Sequence, residues 1–401
     1  MESSGKNGNF FWVRALKRKG HSRSLKSFFI SVAFLATLAA CGGGSGGGSG
    51  GSTSPTNTTG TPGTTSNTPT AESLYVGQVS VNLSNFALNA NLYNFSNLST
   101  MANTAVASST SVWYGPMISD SSGNIYAVTN IPPNSNAGSP VSTSVVKFPN
   151  ATNTSTSLSP STVISTLPSN IRVGSIAFDG SGNLYLAEST NGTSQGSIVE
   201  YTASSGYSTS STYSAFSQSG GSNCQANASL AFDSSGNLWI NENLYNGTNC
   251  NSQIGEFNGS NFTLTLNAPN GAGGDPIAFD SHGNLWLVAG PCGGCSPATN
   301  GGVYEWTATN LTAGAAPVTV ATNYPSGTGN NYPTQPVFDG NGNLWFALQI
   351  GDINGSTCNT GVDIEELPSG GTSLSTSFSY GNCNLIAGLA VIPVPTGLPI
   401  N

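Results

Sequence analysis

Five times along this chain an apolar strand runs into an Asp, two variable residues, a Gly-Asn pair and a second apolar strand, and this repeat restricts the fold more than any other feature. The copies span Ile118 to Tyr126, Phe178 to Tyr185, Phe232 to Trp239, Phe279 to Trp286 and Phe338 to Trp345. Their glycines, Gly123, Gly182, Gly236, Gly283 and Gly342, lie 59, 54, 47 and 59 residues apart. Each copy predicts a β-hairpin, because the Asp carboxylate can accept the N–H groups of a tight turn and Gly tolerates the positive φ the turn needs. A third strand follows at variable distance, marked by Lys147-Phe148, Glu200-Tyr201, Glu256-Phe257, Glu305-Trp306 and Glu366-Leu367. Ser/Thr-rich alternating stretches such as 162–167 and 317–322 supply a fourth.

Four strands per unit of about 55 residues predict the blade of a β-propeller. Near the start, Leu74-Tyr75-Val76 reads as a second strand without its first, and Leu92-Tyr93-Asn94-Phe95 as a third. At the far end, Gly388 to Ile392 reads as a first strand without successors. Joining the two ends in one shared blade removes the exposed edge of an open ring. The expected fold is therefore all-β, a six-bladed β-propeller of four-stranded blades over residues 72–401, closed by pairing of the N- and C-terminal strands. A single closed ring of this kind is expected to be monomeric. The recurring hairpin resembles those of NHL-repeat and related six-bladed propellers, including the virginiamycin B lyase-like and gluconolactonase-like groups. That resemblance implies the propeller, with a His/Glu site in the lyases and carboxylate and Asn ligation of a hard cation in the lactonases. NHL repeats usually continue with an Asp and a later Asn-x-Arg, whereas this chain has Glu188, Glu242 or neither, and no Arg.

The segment before the repeats reads as an address. Basic residues ending at Lys26 precede an apolar run, Phe28 to Ala40, that is too short to span a bilayer. Leu38-Ala39-Ala40-Cys41 resembles the lipobox of bacterial lipoproteins, which implies removal of residues 1–40 as a signal peptide and acylation of Cys41. No Arg pair precedes the apolar run, so export by the general secretory route is expected. Gly42 in place of Asp implies, by the same resemblance, sorting to the outer membrane where the host has one. Residues 41–71, rich in Gly, Ser, Thr and Pro, read as a lipid-anchored flexible tether with a mean reach of about 30 Å.

Charge narrows the partners. Seven of the nine cations lie before residue 27, which leaves Lys147 and Arg172 against sixteen acids and a balance of −14. Such a surface excludes nucleic acid as a ligand and makes the N-terminal lipid the sole expected contact with a membrane. The repeat explains most of the acids. Asp120, Asp179, Asp233, Asp280 and Asp339 are turn residues, and Glu200, Glu256, Glu305 and Glu366 share one outward position on the third strand. Glu188 and Glu242 occupy one register at the end of the second strand, and Asp275 and Arg172 precede or open first strands on that same loop-bearing rim. Arg172, Glu188, Glu242 and Asp275 are thus the candidate ligand or metal site, set against the simpler expectation of solvated rim charges. A divalent cation such as calcium is the one cofactor the residues leave open, although no Asp-x-Asp-x-Asp-Gly loop is present.

Other catalytic signatures are missing. His282 is the single histidine beyond the leader and falls in a hairpin turn, so neither a Ser/His/Asp arrangement away from that turn nor a His-based zinc site can form. Trp239, Trp286 and Trp345 recur in the hairpin and are expected in the core before they are expected to be sugar platforms. In an oxidising compartment the remaining cysteines are expected to form structural disulfides, Cys224 with Cys250, Cys358 with Cys383, and Cys292 with Cys295. Two readings remain. The first is a non-catalytic binding or scaffold module for protein, peptide or glycan; the second is a metal-assisted hydrolase, lactonase or lyase-like enzyme with carboxylates at the central rim.

Overall fold

The computed structural model describes residues 72–394, apart from 82–87, 132–140, 153, 191–194, 218–227, 246–249, 270–274, 291–300, 323–331, 351–352, 355–356, 359–360 and 382–383. Six antiparallel blade sheets, each with four strand positions in sequential order from the first strand outward, make up the described chain together with a two-stranded ribbon of Ile353–Asn354 and Thr357–Cys358. Blade 1 joins Asn384–Ile392 to Ser73–Val81, Leu88–Asn97 and Ala102–Ser109. Blade 2 runs through Trp113–Ser119, Ile125–Ile131, Val141–Phe148 and Ser161–Ile164, and blade 3 through Ile171–Phe178, Leu184–Thr190, Gln195–Tyr201 and Ser210–Ser217. Blade 4 comprises Ala228–Phe232, Leu238–Tyr245, Cys250–Phe257 and Phe262–Asn267; blade 5 comprises Ile277–Phe279, Leu285–Ala289, Gly302–Trp306 and Val318–Thr322. In blade 6 the first strand is broken into Tyr332–Pro333 and Val337–Phe338, followed by Leu344–Ile350, Gly361–Leu367 and Ser375–Tyr380. Pro336 explains the break, since it has no N–H to give to the ladder. The architecture is the six-bladed propeller expected from the repeat, with the two chain ends paired through Leu74↔Val391 and Val76↔Leu389.

The hairpin motif owes its constancy to two separate jobs. At the turn, Asp339 Oδ1 accepts the N–H groups of Asn341 and Asn343, both at 2.9 Å, and Oδ2 accepts Asn343 Nδ2 at 2.9 Å and Trp345 Nε1 at 3.0 Å. Gly342 sits at φ +80°, a conformation a Cβ would strain. Asn343 Oδ1 in turn accepts the N–H of Ser369, which ties the turn to the connection between the third and fourth strands. The role of this Asn was legible only as its recurrence after the Gly. Because Asp339 is 2% exposed and holds four donors, Asp339→Ala is expected to cost about 3 kcal/mol, read by urea unfolding. Asp120→Ala, in a copy with Tyr126 in place of the indole donor, is expected to cost less.

The second job is packing between blades. The aromatic residue closing one motif meets the Phe opening the next, edge to face, at 4.9 Å for Tyr126 and Phe178, 5.0 Å for Tyr185 and Phe232, 5.7 Å for Trp239 and Phe279, and 5.9 Å for Trp286 and Phe338. Each of the six seams between neighbouring blades carries its own apolar cluster, and the seam from blade 6 to blade 1 is filled by Trp345, Ile364, Leu389 and Val391. Hydroxyls stitch the first strands of blades 3, 4 and 5 to the preceding blade: Val173 N–H donates to Ser142 on the third strand of blade 2, Leu230 N–H to Ser175 and Ile277 N–H to Ser229, at 2.9 to 3.1 Å. Blades 1 and 2 approach so closely that a Cβ on Gly77 would lie 2.4 Å from the Tyr114 carbonyl oxygen.

The six outermost strands contain no Asp, Glu, Lys, Arg or Pro, the residues that usually guard a sheet edge. Instead, every pairing of a third with a fourth strand carries a register shift, as between Ile198 and Val199 or Val303 and Tyr304. A bulge raises the local twist and spoils the edge as a template for another strand.

Candidate functional site

Strand alternation decides where the rim residues go. On the second strand of blade 3, Leu184 and Leu186 belong to the cluster between blades 2 and 3, so Glu188, two residues further, caps that seam at the loop rim. On blade 4, Leu238 and Ile240 belong to the cluster between blades 3 and 4, and Glu242 caps that one. The equivalent positions elsewhere are Gln78 in blade 1, Thr129 in blade 2, Ala289 in blade 5 and Leu348 in blade 6. At the seam from blade 4 to blade 5, where the second strand supplies only Ala289, Asp275 provides the polar group. Its carbonyl oxygen accepts Asn241 Nδ2 of blade 4 at 2.7 Å, and its Oδ2 accepts the Gly290 N–H at 3.0 Å.

Three successive seams are thus capped by carboxyls. The other seams carry neutral groups at this position: Gln78 bonds Asn384 and Asn91, Thr129 bonds Thr143 and Ser144, and Leu348 is apolar. The carboxyls are not solvated rim charges, as the simpler expectation had it; Glu188, Glu242 and Asp275 are 3%, 5% and 6% exposed. Their burial is a consequence of tertiary packing that no local pattern announces. Burial raises the Glu188 carboxyl to about 7, partly offset by Tyr201 Oη, which donates to Oε1 at 3.4 Å. Burial alone raises Glu242 to about 7, and it raises Asp275 to about 7 against the opposing Gly290 bond.

Arg172 lies on the innermost strand of blade 3 and pairs with Ser189, so it faces the opposite side from Glu188, toward blade 4. Its side chain is half-buried, and desolvation lowers the guanidinium to about 10. The four candidate residues therefore share one rim and consecutive blades but are distributed, one carboxyl to a seam. Among the described residues, no three His, Cys, Asp or Glu side chains stand close enough to hold a metal ion. The residues described thus do not assemble the cation site that the carboxylates left open.

The remaining candidates divide by rim. His282 is exposed in its turn, where its N–H donates to Asp280 Oδ1 at 2.8 Å, on the rim opposite the carboxyls. The indole N–H groups of Trp239, Trp286 and Trp345 donate to the turn carboxylates of Asp233, Asp280 and Asp339, so these rings are structural. Trp306 is fully buried and donates to the Ala315 carbonyl. The proposed disulfides lie outside the described residues: no side chain of Cys224, Cys250, Cys292, Cys295, Cys358 or Cys383 is among them, nor is Cys41. Sequence reasoning missed Glu365, a third-strand carboxyl that is 3% exposed and accepts Thr376 Oγ1 at 2.9 Å. Its position next to the recurrent Glu366 disguised it.

The class defined by these features is a closed six-bladed β-propeller with buried carboxyls on one rim. No protein-family model and no curated protein matches the chain. Among solved structures it is similar to a TolB-like protein of Agrobacterium tumefaciens, at 10% identity over 81% of this chain and 99% of that one, with a TM-score of 0.47. A Bacteroides caccae protein of unknown function is similar at 11% identity over 80% and 99%, TM-score 0.46. An auxiliary nutrient-binding protein of Bacteroides ovatus is similar at 13% identity over 82% and 71%, TM-score 0.43.

Proposed function

We propose that this chain is an extracytoplasmic lipoprotein whose propeller is a non-catalytic binding module, held off a membrane by the tether and presenting its loop rim to a protein, peptide or glycan. The observation that carries the reading is the topology of the two rims. The described chain starts at Glu72 on the turn rim, where both carboxylate oxygens accept the Gly340 N–H of the blade 6 turn at 2.8 Å. Arg172, Glu188, Glu242 and Asp275 lie at the other end of the strands. A tether joined at Glu72 thus leaves from the face opposite the loops, so the loop rim points away from the anchor. The lipobox around Cys41 supports the anchor, and the placement of His282, the one histidine beyond the leader, in a turn on the rim opposite the carboxyls supports binding without turnover.

Two measurements test this. Radiolabelled palmitate should enter the full-length protein in cells, and Cys41→Ser should abolish the label and release the protein to the soluble fraction. Substitutions on the loop rim should weaken a saturable ligand found by screening peptides and envelope glycans, while His282→Ala on the turn rim should not. Absence of acylation would remove the anchor from the reading. Turnover of a bound ligand would replace the module by an enzyme.

A further inference from the structure

We propose that the Asp275–Pro276 bond is a self-cleavage site, at which the Asp275 side chain cuts its own peptide bond and leaves the ring as two chains. The proposal does not depend on the binding reading. Asp-Pro occurs once in the sequence. The bond lies just before the first strand of blade 5, in the seam to blade 4. Proline makes it a tertiary amide, whose nitrogen carries no N–H and departs more readily, once protonated, than that of an ordinary amide.

The fold acts on this bond in three ways. Asn241, fully buried on the second strand of blade 4, donates Nδ2 to the Asp275 carbonyl oxygen at 2.7 Å, so a donor is in place for the charge that grows on that oxygen under attack. The Gly290 N–H holds Oδ2 at 3.0 Å and the Val288 N–H holds the Pro276 carbonyl at 3.1 Å, which fixes the groups on both sides of the bond. The carboxyl is 6% exposed, and burial raises it to about 7, so it keeps its proton at mildly acidic pH. No charged side chain among the described residues shifts it. Blade 4 turns the neutral Asn241, Ser229 and Trp239 to this seam, and the Tyr304 hydroxyl of blade 5 is raised by burial above its ordinary value of 10. A residue needed only to accept the Gly290 N–H could equally be Asn.

The chemistry consumes only water. The carboxyl proton passes to the Pro276 nitrogen, the freed oxygen attacks the Asp275 carbonyl carbon, and the C–N bond breaks. This leaves a cyclic anhydride on Asp275 and a secondary amine on Pro276. Water then opens the anhydride to a C-terminal Asp275 with both its carboxyls free. The ring keeps the halves together, because Asn384–Ile392 of the second chain pairs with Ser73–Val81 of the first.

The test holds the full-length protein in detergent for days at pH 6 and pH 8, native and in concentrated urea, and reads denaturing electrophoresis and intact masses. Native protein at pH 6 should yield one fragment ending at Asp275 and one beginning at Pro276, their masses summing to the parent plus one water. At pH 8 the rate should fall about tenfold, since a carboxyl near 7 is mostly ionised there. Asn241→Ala should slow cleavage about 100-fold. Asp275→Asn, which keeps an acceptor for Gly290 but has no acidic proton to give, should stay whole, as should the parent in urea. If Asn241→Ala fails to fold, the comparison of native and unfolded parent carries the test. Absence of fragments from native protein at pH 6 overturns the proposal. So does equal cleavage in urea, which is the bare lability of an Asp-Pro bond, and so does cleavage of Asp275→Asn, which marks a contaminating protease.

Discussion

Truncation after residue 383 is expected to abolish cooperative folding, although it removes only the last strand and the residues beyond it. The lost strand, Asn384–Ile392, is the innermost of blade 1 and pairs directly with Ser73–Val81. It buries Leu385, Ile386, Leu389, Val391 and Ile392, each at most 7% exposed, in the seams to blade 6 and blade 2 and in the small cluster around Trp113. At roughly 2 kcal/mol for each buried aliphatic side chain, the loss is about 10 kcal/mol, comparable to the whole stability of an ordinary domain. The truncation also leaves Ser73–Val81 with an open edge. Circular dichroism melts and limited proteolysis should show a molten or insoluble product, whereas truncation after residue 394 should melt like the intact chain. A sharp, near-native melt without the strand would mean that the ring does not depend on closure.

The second large effect concerns pH. Glu188, Glu242 and Asp275 have folded pKa values near 7, above their ordinary values of 4.5, 4.5 and 3.8, because burial penalises the charged form. Between the unfolded and folded values the native state binds more protons than the unfolded state. The slope of unfolding free energy with pH is then negative, so the contribution to stability is fully present below about pH 4 and lost as pH rises to about 7. Each carboxyl contributes at most about 3 to 4 kcal/mol across that window. Urea midpoints should therefore be higher at pH 5 than at pH 8. Since the domain's negative charge also relaxes on acidification, the decisive comparison is the triple variant Glu188→Gln, Glu242→Gln, Asp275→Asn. It should be more stable than the parent at pH 8 and close to it at pH 5. Parallel pH profiles for the two proteins would show that these carboxyls ionise freely and that the seams are open to water.

The same three residues show how far the chain could be read in one dimension. Glu188 and Glu242 stood out in the sequence because two consecutive repeats place a carboxyl in one register. Asp275 could be assigned to their rim from strand order alone. What strand order lacks is the third dimension of each seam: whether a rim position is covered depends on residues from the adjacent blade. Glu365 was passed over for the same reason, since its burial comes from the fold of blade 6 and its partner Thr376 lies on the outermost strand.

The amino-acid sequence by itself determined the number of blades, the hairpin at the centre of each and the sharing of one blade between the chain ends. These follow from local chemistry that repeats: an Asp to receive turn N–H groups, a Gly at positive φ, and apolar residues at strand spacing. Only the tertiary structure decided that the aromatic residues of four motifs pack on the motif of the next blade, that the bare outer edges are guarded by bulges, and that three carboxyls stand buried in three separate seams. Those outcomes are set by contacts between residues about 50 positions apart. A local pattern fixes what a strand is, but burial and charge state depend on which strand lies beside it.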